Sequence, residues 1–347
     1  MNEIKLDIRE ISLGQLKDFF IEKSHKSFRA AQVWEWIWKH RVLNFDKMTN
    51  LSLKHIQCLK KHYTIKKINI LEFHISSDGT VKFLFELESK KVVEGVLIPQ
   101  RNRLTACISS QAGCSLACTF CATGQIKLHR NLNPGEIYDQ VFFINQYAVK
   151  HFKKPLTNIV YMGMGEPFLN YKNVLKSIHY ITSSFGMAMS YKRITVSTVG
   201  ITKIIKKIAD EGVKFNLAIS LHSASNTLRS KLMDINKTND LDSLLNSLIY
   251  FYDKTRIKPT YEYVLLSGVN DSEQDAKLLV KFCKKNPCKV NLIEYNKVAN
   301  SIYEKSTNLA TIKFIKLLEK NNILVKFRRS RGADVNAACG QLANKIN

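Results

Sequence analysis

No apolar run in this chain approaches the ~20 residues that a membrane span needs, and no basic amphipathic anchor stands out. The start, Met1-Asn2-Glu3-Ile4-Lys5-Leu6-Asp7, mixes acids and bases and lacks the apolar core of a secretory signal. A cytoplasmic location without membrane association is therefore expected, where free thiols survive. Repeats, low-complexity tracts and long linkers are absent, and with 45% hydrophobic residues disorder is not the main state. No G-x-G-x-x-G dinucleotide fingerprint occurs. At 347 residues the chain is long for one domain, so two are the default.

Acidic residues are also scarce: 29 Asp and Glu against 53 Lys and Arg leave a formal net charge of +24. Pairs such as Lys66-Lys67, Lys153-Lys154 and Lys206-Lys207 spread the excess over the whole chain, so part of it is a general lysine habit. A surplus this large still attracts polyanions. RNA is favoured over membrane as a partner, although charge does not choose between RNA and DNA.

Of eight cysteines, Cys114, Cys118 and Cys121 form a C-x3-C-x2-C loop at the end of the apolar segment Leu104 to Ser109. Structural zinc wants four ligands, and no fourth Cys or His has finger-like spacing; His129 is the nearest candidate. Three is an odd number for disulfides. What remains is an iron–sulfur cluster held by three cysteines, with one iron open to another ligand.

Residues 1–66 read as helical, with apolar spacing over Leu13–Ile21 and Arg29–His40 and a third helix over Ser52–Tyr63. All three tryptophans lie in one stretch. Trp34 and Trp38 share a helix face, where core packing is favoured over base stacking. Residues 67–100 read as a β linker. Residues 101–347 alternate strands and helices, which argues for a parallel sheet curled into part of a barrel. Strands are expected at Leu104–Ser109, Thr157–Met162, Arg193–Ser197, Phe215–Ser220, Tyr261–Leu266 and Lys289–Tyr295, with Ile323–Arg328 a seventh without a place. Five polar or Gly-rich clusters follow these strands, and in parallel barrels such strand ends converge on one mouth. Glu94 sits in an apolar strand, Val92 to Pro99, where it most simply faces solvent.

C-x3-C-x2-C is similar to the signature of the radical S-adenosylmethionine (SAM) superfamily, in which SAM fills the open iron. Gly163-Met-Gly-Glu-Pro167 looks like its glycine-rich element, and Ala337-Ala-Cys-Gly-Gln-Leu342 narrows the likeness further. Together these resemble the 23S rRNA (adenine-C2) methyltransferase family, whose members also modify the adenosine beside the tRNA anticodon. The likeness runs from about residue 28 to residue 342. Phe28 to Lys39 resembles the N-terminal RNA-docking domain of that family.

The resemblance implies an α/β fold: a partial (β/α)6 TIM-like barrel, the radical SAM core, with a small N-terminal helical domain and a short β linker. It implies that Cys114, Cys118 and Cys121 ligate a [4Fe-4S] cluster. Gly165, Glu166, Ser197, Ser220, Leu221, His222 and Asn296 would bind SAM, of which two are used per turnover. Cys339 would become S-methylated, Cys107 would resolve the RNA adduct through a transient disulfide, and Glu94 would accept the C2 proton. Asp234 and Asn336 depart from the family pattern without touching a proposed ligand.

The chemistry explains the parts. Adenine C2 lies between two ring nitrogens and is too electron-poor to attack a methyl group. On that resemblance a thiolate at Cys339 would attack one instead; a second SAM, cleaved by a low-potential electron, would then yield the radical that activates the S-methyl group for addition to C2. The partners implied are 23S rRNA, tRNA and a low-potential electron donor, with the protein a monomer. Cys58, Cys283 and Cys288 are assigned to packing or surface. Two alternatives remain: adenine-C8 methylation of the same nucleotide, and a non-enzymatic Fe–S RNA-binding or ribosome-assembly factor.

Overall fold

Residues 5–299 and 301–343 are described by the structure, a computed structural model. Residues 1–4, part of the start read above for a leader, lie outside them. Helix α1 (Leu13–Glu22) begins at a capping box in which Ser12 and Gln15 satisfy each other's backbone N–H groups. Helix α2 (Phe28–Trp38) buries Ala30, Val33, Trp34, Ile37 and Trp38, a stripe at helical spacing. Helix α3 (Leu53–His62) completes the helical unit. A small parallel pair, Leu6–Asp7 with Tyr63–Thr64, also occurs here, which helical periodicity alone does not reveal.

The stripe on α2 faces the rest of the chain. Trp38 stacks on Tyr180 at 3.8 Å, Trp34 meets the same ring edge-on, and the Tyr138 hydroxyl donates to the Trp38 carbonyl at 2.6 Å. The tryptophans are therefore packing residues. Beside them, buried Asp139 receives Arg9 at 2.9 Å and Arg41 at 2.6 Å. Burial raises the Asp139 pKa, but these two guanidinium groups outweigh it and hold the carboxyl below its usual range.

A ten-stranded sheet runs in strict chain order. Its strands are β1 (Asn69–Ile75), β2 (Val81–Glu86), β3 (Val92–Gln100), β4 (Arg103–Cys107), β5 (Asn158–Tyr161), β6 (Ile194–Thr198), β7 (Asn216–Ser220), β8 (Thr260–Leu265), β9 (Lys289–Glu294) and β10 (Val325–Arg328). From β4 to β10 every pairing is parallel. Helices α4 (Pro134–Phe152), α5 (Tyr171–Thr182), α6 (Thr202–Asp210), α7 (Asn226–Leu232), α8 (Leu241–Thr255), α9 (Glu273–Cys283) and α10 (Asn308–Lys320) supply the crossovers. The strand that had no place, Ile323–Arg328, takes the outer edge beside β9. Strands β1–β3 pair antiparallel and continue the same sheet through β4.

Side chains alternate across a strand, so register decides what faces inward. Leu84 opposes Glu94, Val96 opposes Cys107, and Cys107 opposes Val160. Further along, Ser197 opposes Ala218, Ser220 opposes Glu262, Glu262 opposes Asn291, and Ile293 opposes Arg328. Glu94, Cys107, Ser197, Ser220, Glu262 and Arg328 thus share one face. The other face, with Ile159, Val196, Leu217, Tyr261 and Leu292, is fully buried core.

The sheet's two ends are joined by side chains. Asp78, in the turn after β1, accepts from Arg331 Nε at 3.2 Å and the Gly332 N–H at 3.1 Å. Asp334 accepts from the Ser76 hydroxyl at 2.6 Å and the Ser77 N–H at 3.0 Å. Among the described residues no helix is long and apolar enough to cross a membrane.

Candidate active site

The inward face opens on a cavity of about 160 Å³ walled by Cys114, Cys118, Cys121, Gly165, Glu166, Ser197, Ser220, His222 and Cys339, among others. Burial raises the thiol of Cys114 to about 11 and that of Cys118 higher still, and each feels its neighbouring cysteines. Among the described residues no three His, Cys, Asp or Glu side chains stand close enough to grip a single metal ion. A tetrahedral zinc site needs such a group. A [4Fe-4S] cluster instead takes one thiolate at each of three irons, and three grouped but separated thiols fit it.

The glycine-rich loop follows β5. Gly165 has φ +92°, and a Cβ there would lie 2.4 Å from Gln111 Cβ, so only glycine lets the loop pass so close. Glu166 is buried; its two oxygens accept the Phe168 and Val199 N–H groups, both at 2.9 Å. Burial raises its pKa to about 7 against the pull of Thr198 and those amides. Oxygens with lone pairs to spare remain able to accept from an ammonium group.

His222 stands at φ +55°, directly after β7 and Leu221. The Val264 N–H donates to its Nδ1 at 3.1 Å, which leaves the proton of the neutral ring on Nε2. Burial, reinforced by Arg229, lowers its pKa to about 3, so the ring stays neutral. Leu221 itself is not at the wall: its N–H donates to the Glu262 carbonyl at 3.0 Å and its carbonyl accepts from Arg229 at 3.1 Å.

Cys339 rides on a strap that runs on from β10. The Ala122 N–H donates to the Gly340 carbonyl at 2.7 Å and Thr123 Oγ1 to the Leu342 carbonyl at 2.5 Å, tying the strap to the cysteine loop. Asn296, also behind the wall, donates to the Cys339 carbonyl at 3.2 Å. Solvent in the cavity reaches Cys339. The surrounding protein still raises its thiol to about 11, with Arg328 pulling the other way. Cys107 is buried beneath the wall, close enough for the two thiols to feel each other; burial raises it to about 12, and Arg328 again opposes. Glu94 shares the face but opens on a second cavity with Asn336, Gln341 and Ala343 of the strap.

Sequence reading missed the charges behind the cysteines. Asn291 donates to Glu262 Oε1 at 2.8 Å, and Arg328 lies 3.4 Å from Glu262 Oε2 and 3.9 Å from the Met162 sulfur. The available signal was a carboxylate inside the aromatic strand Thr260–Leu265.

Residues 108–280 match the family model of the radical SAM superfamily, and residues 6–65 that of the ribosomal RNA large subunit methyltransferase N-terminal domain. The chain is similar to the probable dual-specificity RNA methyltransferase RlmN of Flavobacterium psychrophilum, 52% identical over 98% of each chain. Its identity to the protein of the same name from Streptococcus agalactiae is 40%, over 98% of this chain and 94% of that one. A crystal structure of a radical SAM methyltransferase from Sphaerobacter thermophilus superposes with a TM-score of 0.90 at 33% identity, covering 97% of this chain and 99% of that one.

Proposed function

The chain belongs to the radical SAM superfamily and, within it, to the dual-specificity RNA methyltransferases named RlmN; on that premise we propose that it methylates C2 of an adenosine in 23S rRNA, at the peptidyl-transferase centre, and of the adenosine next to the tRNA anticodon. Family membership makes it a SAM-dependent RNA methyltransferase that uses a [4Fe-4S] cluster, which sets aside a non-enzymatic role. It acts in the cytoplasm as a monomer, supplied by a low-potential donor.

Cys114, Cys118 and Cys121 hold the cluster, which when bound supplies the electron that cleaves SAM to a 5′-deoxyadenosyl radical. Gly165 admits the SAM methionine and Glu166 accepts its ammonium; Ser197, Ser220 and the Nε2–H of His222 orient the rest. Leu221 acts through its position in the chain, setting His222. Asn296 binds SAM as well as donating to the Cys339 carbonyl. Cys339 takes a methyl group by displacement from one SAM, and Arg328 favours the thiolate that does so. After transfer to the RNA, Glu94 accepts the C2 proton and Cys107 attacks the Cys339 sulfur to release the product.

One observation carries this reading: of two cysteines outside the cluster loop, Cys107 lies on the same face of the sheet as Arg328, and Cys339 of the C-terminal strap lines the cavity over that face. The test is Cys339→Ala with digests of the RNA analysed by mass spectrometry. Wild type should yield 2-methyladenosine, and the variant none while keeping its cluster absorbance. A methyl group found at C8 would replace the regiochemistry with that of the sister activity, and full modification by Cys339→Ala would overturn the S-methyl route.

A further inference from the structure

A buried base must discard its proton before the next turnover, and the face around Glu94 is built for that. In the β1–β2–β3 register, Glu72 opposes Leu84, which opposes Glu94, and His74 opposes Lys82, which opposes Val96. Glu72, His74, Lys82 and Glu94 therefore share one side of the sheet, in a row from the free edge inward. The row is graded in exposure: Glu72 and His74 are about half exposed, at 49% and 46%, Lys82 is 11% exposed and Glu94 2%.

Lys82 Nζ stands 3.6 Å from Glu94 Oε1. Glu94 lines the second cavity, of about 150 Å³, where the Ala343 backbone N–H supports its carboxylate besides Lys82. The same cavity is walled by Glu72, His74 and Lys82, and by the strap through Asn336, Gln341 and Ala343. His74 Nε2 lies 3.2 Å from Glu72 Oε1 at the outer end. A space of this size, lined by two carboxylates, an imidazole and an ammonium group, has room for water to bridge the row.

We propose that this cavity is the proton outlet of the active site: Lys82 positions Glu94 and holds it ionised, while His74 and Glu72 pass the proton taken from the substrate to solvent. The proposal rests on the reading of Glu94 as the C2 base. In the transfer the O–H bond of the Glu94 carboxylic acid breaks, an N–H bond forms at a ring nitrogen of His74 through cavity water, and the proton then leaves to bulk water past Glu72. No electron moves and no co-reactant is needed. Lys82 is a positioning residue, since it touches neither SAM nor the adenine.

Burial alone raises the Glu94 pKa, and Lys82 is the largest influence pulling it back. Among the described residues the titratable groups facing Glu94 are His74 and Glu72 on β1 and Lys82 on β2; the strap's described residues at this cavity are Asn336, Gln341 and Ala343. Removing the Lys82 charge must therefore keep Glu94 protonated to higher pH.

The experiment is the pH–rate profile of RNA methylation by reconstituted, full-length enzyme. Lys82→Met should move the acid limb to higher pH by about 1 unit or more, and Lys82→Arg should restore it. An acid limb that stays in place, whatever the loss of rate, overturns the role of Lys82, because a merely structural defect lowers the rate at every pH. His74→Gln, at a half-exposed position, should slow methylation in the turnovers after the first and be rescued by imidazole in the buffer; an unchanged multiple-turnover rate overturns the outlet. Glu94→Gln separates the two levels. If it methylates at the wild-type rate, the base assignment and the outlet both fall; if it is inactive while the Lys82→Met limb stays put, the outlet alone falls.

Discussion

Glu166 carries two demands that pull against each other. It must be buried to stitch the Phe168 and Val199 amides together, yet ionised to meet an ammonium group. With a pKa raised to about 7, it is half protonated near neutrality. Ionisation is complete only above that value, so SAM affinity should rise as pH increases from 6 to 8 and then level off. Calorimetric titration of SAM over that range checks this, and a pH-independent dissociation constant would count against contact between Glu166 and the amine. Arg328 is the corresponding residue on the thiol side. Burial pushes Cys339 up to about 11 and Arg328 opposes it. Arg328→Met, made together with Glu262→Gln so that no lone carboxylate stays buried, should slow S-methylation of Cys339 roughly tenfold for each unit of added thiol pKa. The methyl mass increment on the Cys339 peptide, followed in time, reports the rate.

Among the elements, α2 ties the N-terminal helices to the helices that flank the sheet. Its buried stripe does not close a separate core but lies on Tyr138 of α4 and Tyr180 of α5. Removing a fully buried large aromatic costs about 3–5 kcal/mol. Trp38→Ala is expected to lose that much in denaturant unfolding, while Trp36→Ala, at a half-buried position, loses less. A loss of under about 1 kcal/mol for Trp38→Ala would mean that α2 does not dock on the barrel as described. Helical periodicity made the stripe readable in advance, because the pattern lies within eleven residues. What it packs against was not readable, since Tyr138 and Tyr180 are far away in the chain.

On the scale of the whole molecule, an open ten-stranded sheet is held to a cavity-forming curve by the contacts of Asp78 and Asp334 with its opposite end. Burial tends to raise Asp78, but the Thr80 and Gly332 N–H groups that donate to it prevail and hold it at about 2. The folded pKa is thus below the ordinary aspartate value of 3.8, so the contribution of Asp78 to stability is complete above that value and disappears as pH falls through about 2. Asp78→Asn should unfold at lower denaturant concentration than wild type at pH 7, and the gap should close as pH drops toward 2. A gap that persists at pH 2 would show that the charge is not what matters.

By itself the sequence determined the features that depend on spacing within a short stretch. Three cysteines in eight residues, two glycines after a strand and a strand–helix alternation required no partner to be recognised. Resemblance over nearly the full length then supplied the family. Only the tertiary structure decided what depends on register between distant strands: that Glu94, Cys107, Glu262 and Arg328 face one way, that residues 325–328 close one edge of the sheet, and that the strands of 69–100 extend the other. It also decided that the Leu221 backbone pairs with Glu262 and Arg229 and that Asn296 donates to the Cys339 carbonyl. The physical reason is parity. A shift of one residue in any pairing would turn every side chain of that strand to the other face, and that choice is made by the summed burial and hydrogen bonding of the whole sheet.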